Sequence, residues 1–140
     1  MNHLVFLDAQ AGELEKILSG IKSMVVKEFD PAQPAAHPVN PGDNLYLLKG
    51  KEIHALRVKA TVVRVLFFTN PIDEDLSHIL KEMQPRLQLT EDQYNYWSAK
   101  KHALLVEFDC AQKIDVIHVA PQKVTNKSDW IAFEEFGLIT

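Results

Sequence analysis

Between Val39 and Phe68 the alternation of apolar and polar positions is clearest, and it reads as two strands joined by a tight reversal. The turn Asn40-Pro41-Gly42-Asp43 leads into the apolar run Leu45-Tyr46-Leu47-Leu48. Lys49-Gly50-Lys51-Glu52 then reverses the chain, with Gly50 free to take the positive φ of a hairpin turn. The return from Ile53 to Phe68 is rich in β-branched and aromatic residues and lacks proline and glycine, which predicts a strand. Leu56, Val58, Ala60 and Val62 share one face opposite Arg57, Lys59 and Thr61, and from Val62 onward both faces are apolar. Flat strands run to about 10 residues. A longer strand, solvated at one end and covered on both sides at the other, predicts a bent strand in a small barrel with a helix over its outside.

The other patterns fill in around this pair. Leu4–Leu7 reads as a strand, and Asp8 is placed to cap a helix through Ser19 with Ala11, Leu14, Ile17 and Leu18 on one face. Gly20 is the expected left-handed C′ residue, and Ser23–Phe29 returns as a strand. Asp30–Pro41 carries four prolines, which exclude a helix or central strand and predict an extended flap. Asn70-Pro71-Ile72-Asp73 marks a helix start, Leu76, Ile79, Leu80 and Met83 form its apolar stripe, and Pro85 is expected to terminate it. Thr90 with Gln93 forms a capping box and Leu89 with Tyr94 a hydrophobic staple for a further helix ending near Lys100. His102–Cys110 and Ile114–Val119 are expected to pair across an Ala111-Gln112-Lys113 turn, and Trp130–Phe133 forms a last strand. Six or seven strands and three helices predict one α+β domain over residues 1–140, mainly β.

Composition narrows the function classes. A chain of 140 residues with 46% apolar and 24% charged residues is ordinary for a globular domain. The N-terminus lacks the features of a signal peptide, no stretch is apolar enough to span a membrane, and a lone Cys110 fits a reducing compartment, so a cytoplasmic location is expected. Cys110 itself is expected to be a small buried apolar residue. Six scattered histidines show no metal-ligand spacing, so neither a metal nor a cofactor is expected. Tyr94 and Trp97, three apart on a helix, are expected in the core with Tyr96 outside. A net charge of −4 argues against strong non-specific DNA binding. The charge is uneven, however. Seven basic residues (Lys22, Lys27, Lys49, Lys51, Arg57, Lys59, Arg64) face four acidic ones between positions 22 and 64, which places any anion site in the first half.

The segment Gly20-Ile21-Lys22-Ser23-Met24-Val25-Val26-Lys27, the turn Pro41-Gly42-Asp43 into a strand, and Ala60-Thr61-Val62-Val63-Arg64-Val65 follow one another in the order and spacing of the ASCH family within the PUA-like superfamily, which this chain resembles. Trp97–Phe108 is similar to the last helix and strand of that family. The family pattern is Gly-x-Lys-x-x-Glu-x-Arg; here the Glu slot is Val25 and the Arg slot is Lys27. The resemblance implies a PUA-like small β-barrel with one helix packed across it and two further helices between strands. It also implies recognition of RNA or a nucleotide-like anion at a cleft beside the junction of the first helix and second strand, with Lys22, Ser23 and Lys27 as contacts. The basic excess adds Arg57 and Lys59, and the flap contributes Gln33 or His37. Family members that resemble amidohydrolases of acetylated cytidine imply an alternative in which Lys22 and Ser23 are catalytic. Valine at position 25 can neither attack a carbonyl nor move a proton. A protein-interaction domain is the third reading, expected if the cleft is filled by its own side chains.

Overall fold

A computed structural model of the chain describes residues 1–29, 32, 38–49, 55–69, 76–123 and 130–140, with the side chains of 55–57 excepted. Its elements are β1 (Asn2–Phe6), α1 (Glu13–Leu18), β2 (Met24–Glu28), β3 (Asn44–Leu48), β4 (Ala55–Thr69), α2 (Ser77–Leu87), α3 (Glu91–Ser98), β5 (His102–His118) and β6 (Trp130–Phe133). The strands form a single curled half-barrel in the order β2-β5-β4-β3-β1-β6. All neighbours are antiparallel except β1 and β3, which pair in parallel. The two edge strands approach each other: the Lys27 ammonium on β2 lies 5.8 Å from the centre of the Trp130 ring on β6.

β4 is the bent strand that its pattern predicts, and β5 matches it. Three register shifts separate Leu56 from Val58, Lys59 from Thr61, and Val62 from Arg64. In the last, Val62 faces Phe108 while Arg64 faces Glu107, so Val63 is an extra residue on β4. Bulges of this kind bend a strand and increase its twist, which lets two long strands curl round one core. The same bulges correct the expected hairpin at Ala111-Gln112-Lys113. Thr61 faces Asp109 and Lys59 faces Gln112, so Cys110 and Ala111 oppose a single β4 residue, and Cys110 takes a left-handed φ of 55°. The alternation breaks there because the strand bulges, and β5 runs on through His118. Cys110 is exposed on that bulge and not buried.

The apolar faces sort into three clusters. Val5, Leu7, Ile17, Val25, Leu45, Leu47, Val58, Ala60, Val62, Leu104, Val106 and Phe108 fill the inside of the half-barrel. Met24, Leu76, Leu80, Leu87, Ala103 and Leu105 join the outer face of β2 and β5 to α2 and α3, with Tyr94 and Trp97 packed against them and Tyr96 outside. Leu4, Phe6, Tyr46, Leu48 and Phe133 form the third cluster on the other outer face.

Two helix boundaries differ from expectation. α1 begins at Glu13, not Asp8, because Gly12 enters at a left-handed φ of 65° and the Asp8 carboxylate is turned back to accept from the Gln10 amide. Leu18 is exposed rather than on the buried face. α2 runs two residues past Pro85 and ends where Gln88 turns left-handed, since a proline in the last turn removes one backbone donor without stopping the helix. Gly20 does end α1 at a φ of 84°, and Thr90 with Gln93 does form both bonds of a capping box. The expected Gly50 turn and the Asn70–Asp73 helix start lie outside the described residues. Among the described residues, no helix is long and apolar enough to cross a membrane.

Candidate functional site

The turn after α1 controls how the second strand presents its side chains. Ile21 N–H donates to Lys16 O and Gly20 N–H to Ile17 O, a doubled closure that needs the positive φ of Gly20. The chain then enters the ladder: Phe108 N–H donates to Ser23 O, one step beyond the Met24 to Glu107 pairing. Alternation from that point puts Ser23, Val25 and Lys27 on the barrel side and Lys22, Met24 and Val26 on the helix side. Val25 packs in the barrel core, while Met24 and Val26 pack against the α2–α3 layer.

Lys22 therefore does not reach the barrel. It is only 1% exposed, and its ammonium donates to Leu87 O and pairs with Glu13 Oε1 at 3.4 Å. Donors from the first quarter of the chain meet the carbonyls at the end of α2: Ser23 N–H at Arg86 O, Lys22 at Leu87 O, and the Lys16 ammonium at Gln88 O just beyond it. Cations at a helix C-terminus compensate its exposed carbonyls and its dipole. Burial pushes the Lys22 pKa below its ordinary value, and the Glu13 charge opposes that shift.

Lys27 has a different setting. It is half-buried, its ammonium faces the Trp130 ring, and among the described residues no carboxylate pairs with it. Burial lowers its pKa, and neighbouring Glu28, which lies 3.9 Å from Lys100, partly offsets this. Trp130 is held in turn, since its indole N–H donates to His3 Nδ1 at 3.0 Å. That bond puts the histidine proton on Nε2, which donates to Asp43 Oδ2 at 2.8 Å. Asp43 also accepts from Asn40 N–H at 2.9 Å and from the Met1 amino group at 3.3 Å. His3 is fully buried, and burial lowers its pKa against the opposing hydrogen bond that it donates to Asp43; the indole N–H on Nδ1 makes it a neutral histidine on a carboxylate. The Gly42-Asp43 turn thus orients His3, His3 orients Trp130, and Trp130 walls the Lys27 ammonium.

Of the remaining sequence candidates, Lys59 does not join this group. Lys59 pairs with Tyr46 and follows the inward-facing Val58, so it lies on the outer face. His37 and the Arg57 side chain lie outside the described residues, as does most of the expected Asp30–Pro41 flap. Among the described residues no group of three His, Cys, Asp or Glu could hold a metal. His3, Asp43 and Trp130 escape sequence reasoning because the contact that joins them spans 127 residues. The one available signal was the Gly-Asp turn.

Comparison with solved structures follows the same outline. The crystal structure of ASCH from Zymomonas mobilis superposes with a TM-score of 0.66 at 14% identity, covering 96% of this chain and 88% of that one. Two variants of that protein, a tyrosine-to-phenylalanine and a serine-to-alanine substitution, give TM-scores of 0.66 and 0.67 at 13% identity, with 96% of this chain covered and 91% and 89% of theirs. The chain has the ASCH-like fold. No family model matches the sequence, and no curated protein does.

Proposed function

We propose that this protein is a small binding module for RNA or a nucleotide-like anion, and that the anion contact is Lys27. The observation that carries this reading is a half-buried ammonium at the seam of the half-barrel, beside an indole and with no carboxylate paired to it among the described residues. A phosphate reaching it exchanges a weak cation–π contact for a charge-assisted hydrogen bond in a partly desolvated site. Ser23, four residues earlier on the same face of β2, sits about 13 Å along the strand and is placed for a second contact on a ligand longer than one nucleotide. The ASCH-like fold and the basic excess of the first half both support the reading.

Lys27→Ala is expected to weaken binding of a short single-stranded RNA or a nucleoside monophosphate about tenfold and to make the salt dependence shallower by about one phosphate contact. Isothermal titration at several salt concentrations measures both. If neither ligand binds wild-type protein below about 1 mM, the reading fails. The hydrolytic alternative needs Lys22 to activate Ser23, yet the two turn to opposite faces of the chain and Lys22 is held by Glu13 and Leu87 O. Incubation with acetylated cytidine is accordingly expected to leave the amide intact by chromatography.

A further inference from the structure

Next to Lys27, where β2 and β4 end and β5 begins, three more side chains converge on the barrel side of the sheet. Leu104 is the register partner of both Lys27 on β2 and Phe67 on β4, so these three form one row across the strands. The next row on the same face, toward the strand ends, holds Phe29, His102 and Thr69: His102 pairs with Thr69, and Phe29 follows Lys27 by two. The rings of Phe29 and Phe67 meet edge to face at 5.3 Å, and both Phe29 and Val65 pack on the barrel core. Phe67 nonetheless remains 57% exposed. An exposed aromatic ring braced edge to face by a second ring that packs on the core is a stacking surface.

A second observation is independent of the aromatic pair. Among the buried side-chain polar atoms of the described residues, only His102 Nδ1 lacks a hydrogen-bond partner. A buried polar atom left unpaired is costly, and native structures rarely tolerate one without a use. The His102 side chain is only partly buried, so its ring borders the mouth although this nitrogen does not reach solvent.

We infer that Phe29, Phe67 and His102 form a nucleobase-reading subsite: the base stacks on Phe67 and its edge hydrogen-bonds to His102, while its phosphate lies on Lys27. The inference rests on the function proposed above and adds what is read there. Lys27 and Phe67 are two strand spacings apart on one row of the barrel side, about 10 Å between Cα atoms. A ring nitrogen of neutral His102 is either a donor or an acceptor, so it complements only a base edge that carries the opposite group at that position. Stacking is tolerant of base identity because every base has a π-face, and the histidine supplies the discrimination.

The test compares ligands that share the phosphate and differ in the base. Wild-type protein is expected to bind nucleoside monophosphates about tenfold more tightly than ribose 5-phosphate, and to prefer one base over the others. Phe67→Ala is expected to remove the advantage over ribose 5-phosphate, and Lys27→Ala to weaken both ligand types. His102→Phe keeps a ring and removes the nitrogen, so it is expected to erase the preference among bases while stacking persists. A uridine hexamer run beside the monophosphates distinguishes RNA from free nucleotide as the source of the base. If ribose 5-phosphate binds as tightly as the nucleotides, the base subsite is overturned while the anion site stands. If the base preference survives His102→Phe, the role of His102 is overturned. If no ligand binds, both readings fall.

Discussion

A lysine with 1% of its surface exposed needs partners that replace the water it has lost, and Lys22 finds them in Glu13 and the Leu87 carbonyl. Removing one member of such a pair leaves the other charge buried alone. Lys22→Ala is expected to destabilise the fold by about 3 kcal/mol, measured by urea denaturation. In conditions where that variant is fully folded, its nucleotide affinity is expected to match wild type, whereas Lys27→Ala reverses the pattern. The lysine of the Gly-x-Lys motif was legible as a special residue, but its side could not be read, because facing depends on where alternation starts after Gly20. His3 titrates with a definite sign. Its folded pKa lies below the ordinary 6.5, so its contribution is present above that value and is lost as pH falls and the unfolded chain takes up the proton. Asp43, whose burial is outweighed by bonds from His3, Asn40 and the Met1 amino group, is held below its ordinary 3.8 and adds a second loss at lower pH. The groups around His3 are Asp43, the Met1 amino group and Lys27. A melting temperature that drops from pH 7 to pH 5, with a smaller drop in His3→Gln, is the expected result; an equal drop in both would remove His3 from the account.

At the level of elements, local chemistry was readable wherever neighbours in sequence carry it. The capping box of α3 is one such case: Gln93 N–H donates to Thr90 Oγ1 and Thr90 N–H to Gln93 Oε1. Thr90→Ala is expected to cost about 1 kcal/mol by thermal or urea denaturation. The left-handed stop at Gly20 is another. The long strand β4 was legible from its run of β-branched residues. What could not be read were the bulges, because an extra residue at Cys110–Ala111 or at Val63 breaks the period in the same way as a turn does. For that reason the β5 segment reads as a hairpin from its pattern and folds as one strand. The start of α1 was misplaced for a related reason. Asp8 has the composition of an N-cap, yet its amide donates to the Glu13 carboxylate across the Gly12 turn, a contact that propensity does not encode.

Across the whole molecule, the half-barrel converts distant sequence into one mouth. Lys27 comes from β2, Phe67 from β4, His102 from β5 and Trp130 from β6, and only the curl of the six-stranded sheet brings the β2 and β6 edges within a cation–π distance. Order and spacing of the Gly-x-Lys turn, the Gly-Asp turn and the long strand were enough to reach the fold. They were not enough to reach the mouth, which is assembled by long-range pairing. The most direct measurement of the central claim is an amide and side-chain NMR titration of the labelled protein with a short single-stranded RNA or a nucleoside monophosphate. Saturable shifts centred on Lys27, Phe29, Phe67, His102 and the Trp130 indole are expected, with Lys22 and Glu13 undisturbed. Shifts centred instead on Lys22 and α1, or none up to about 1 mM ligand, would contradict that claim.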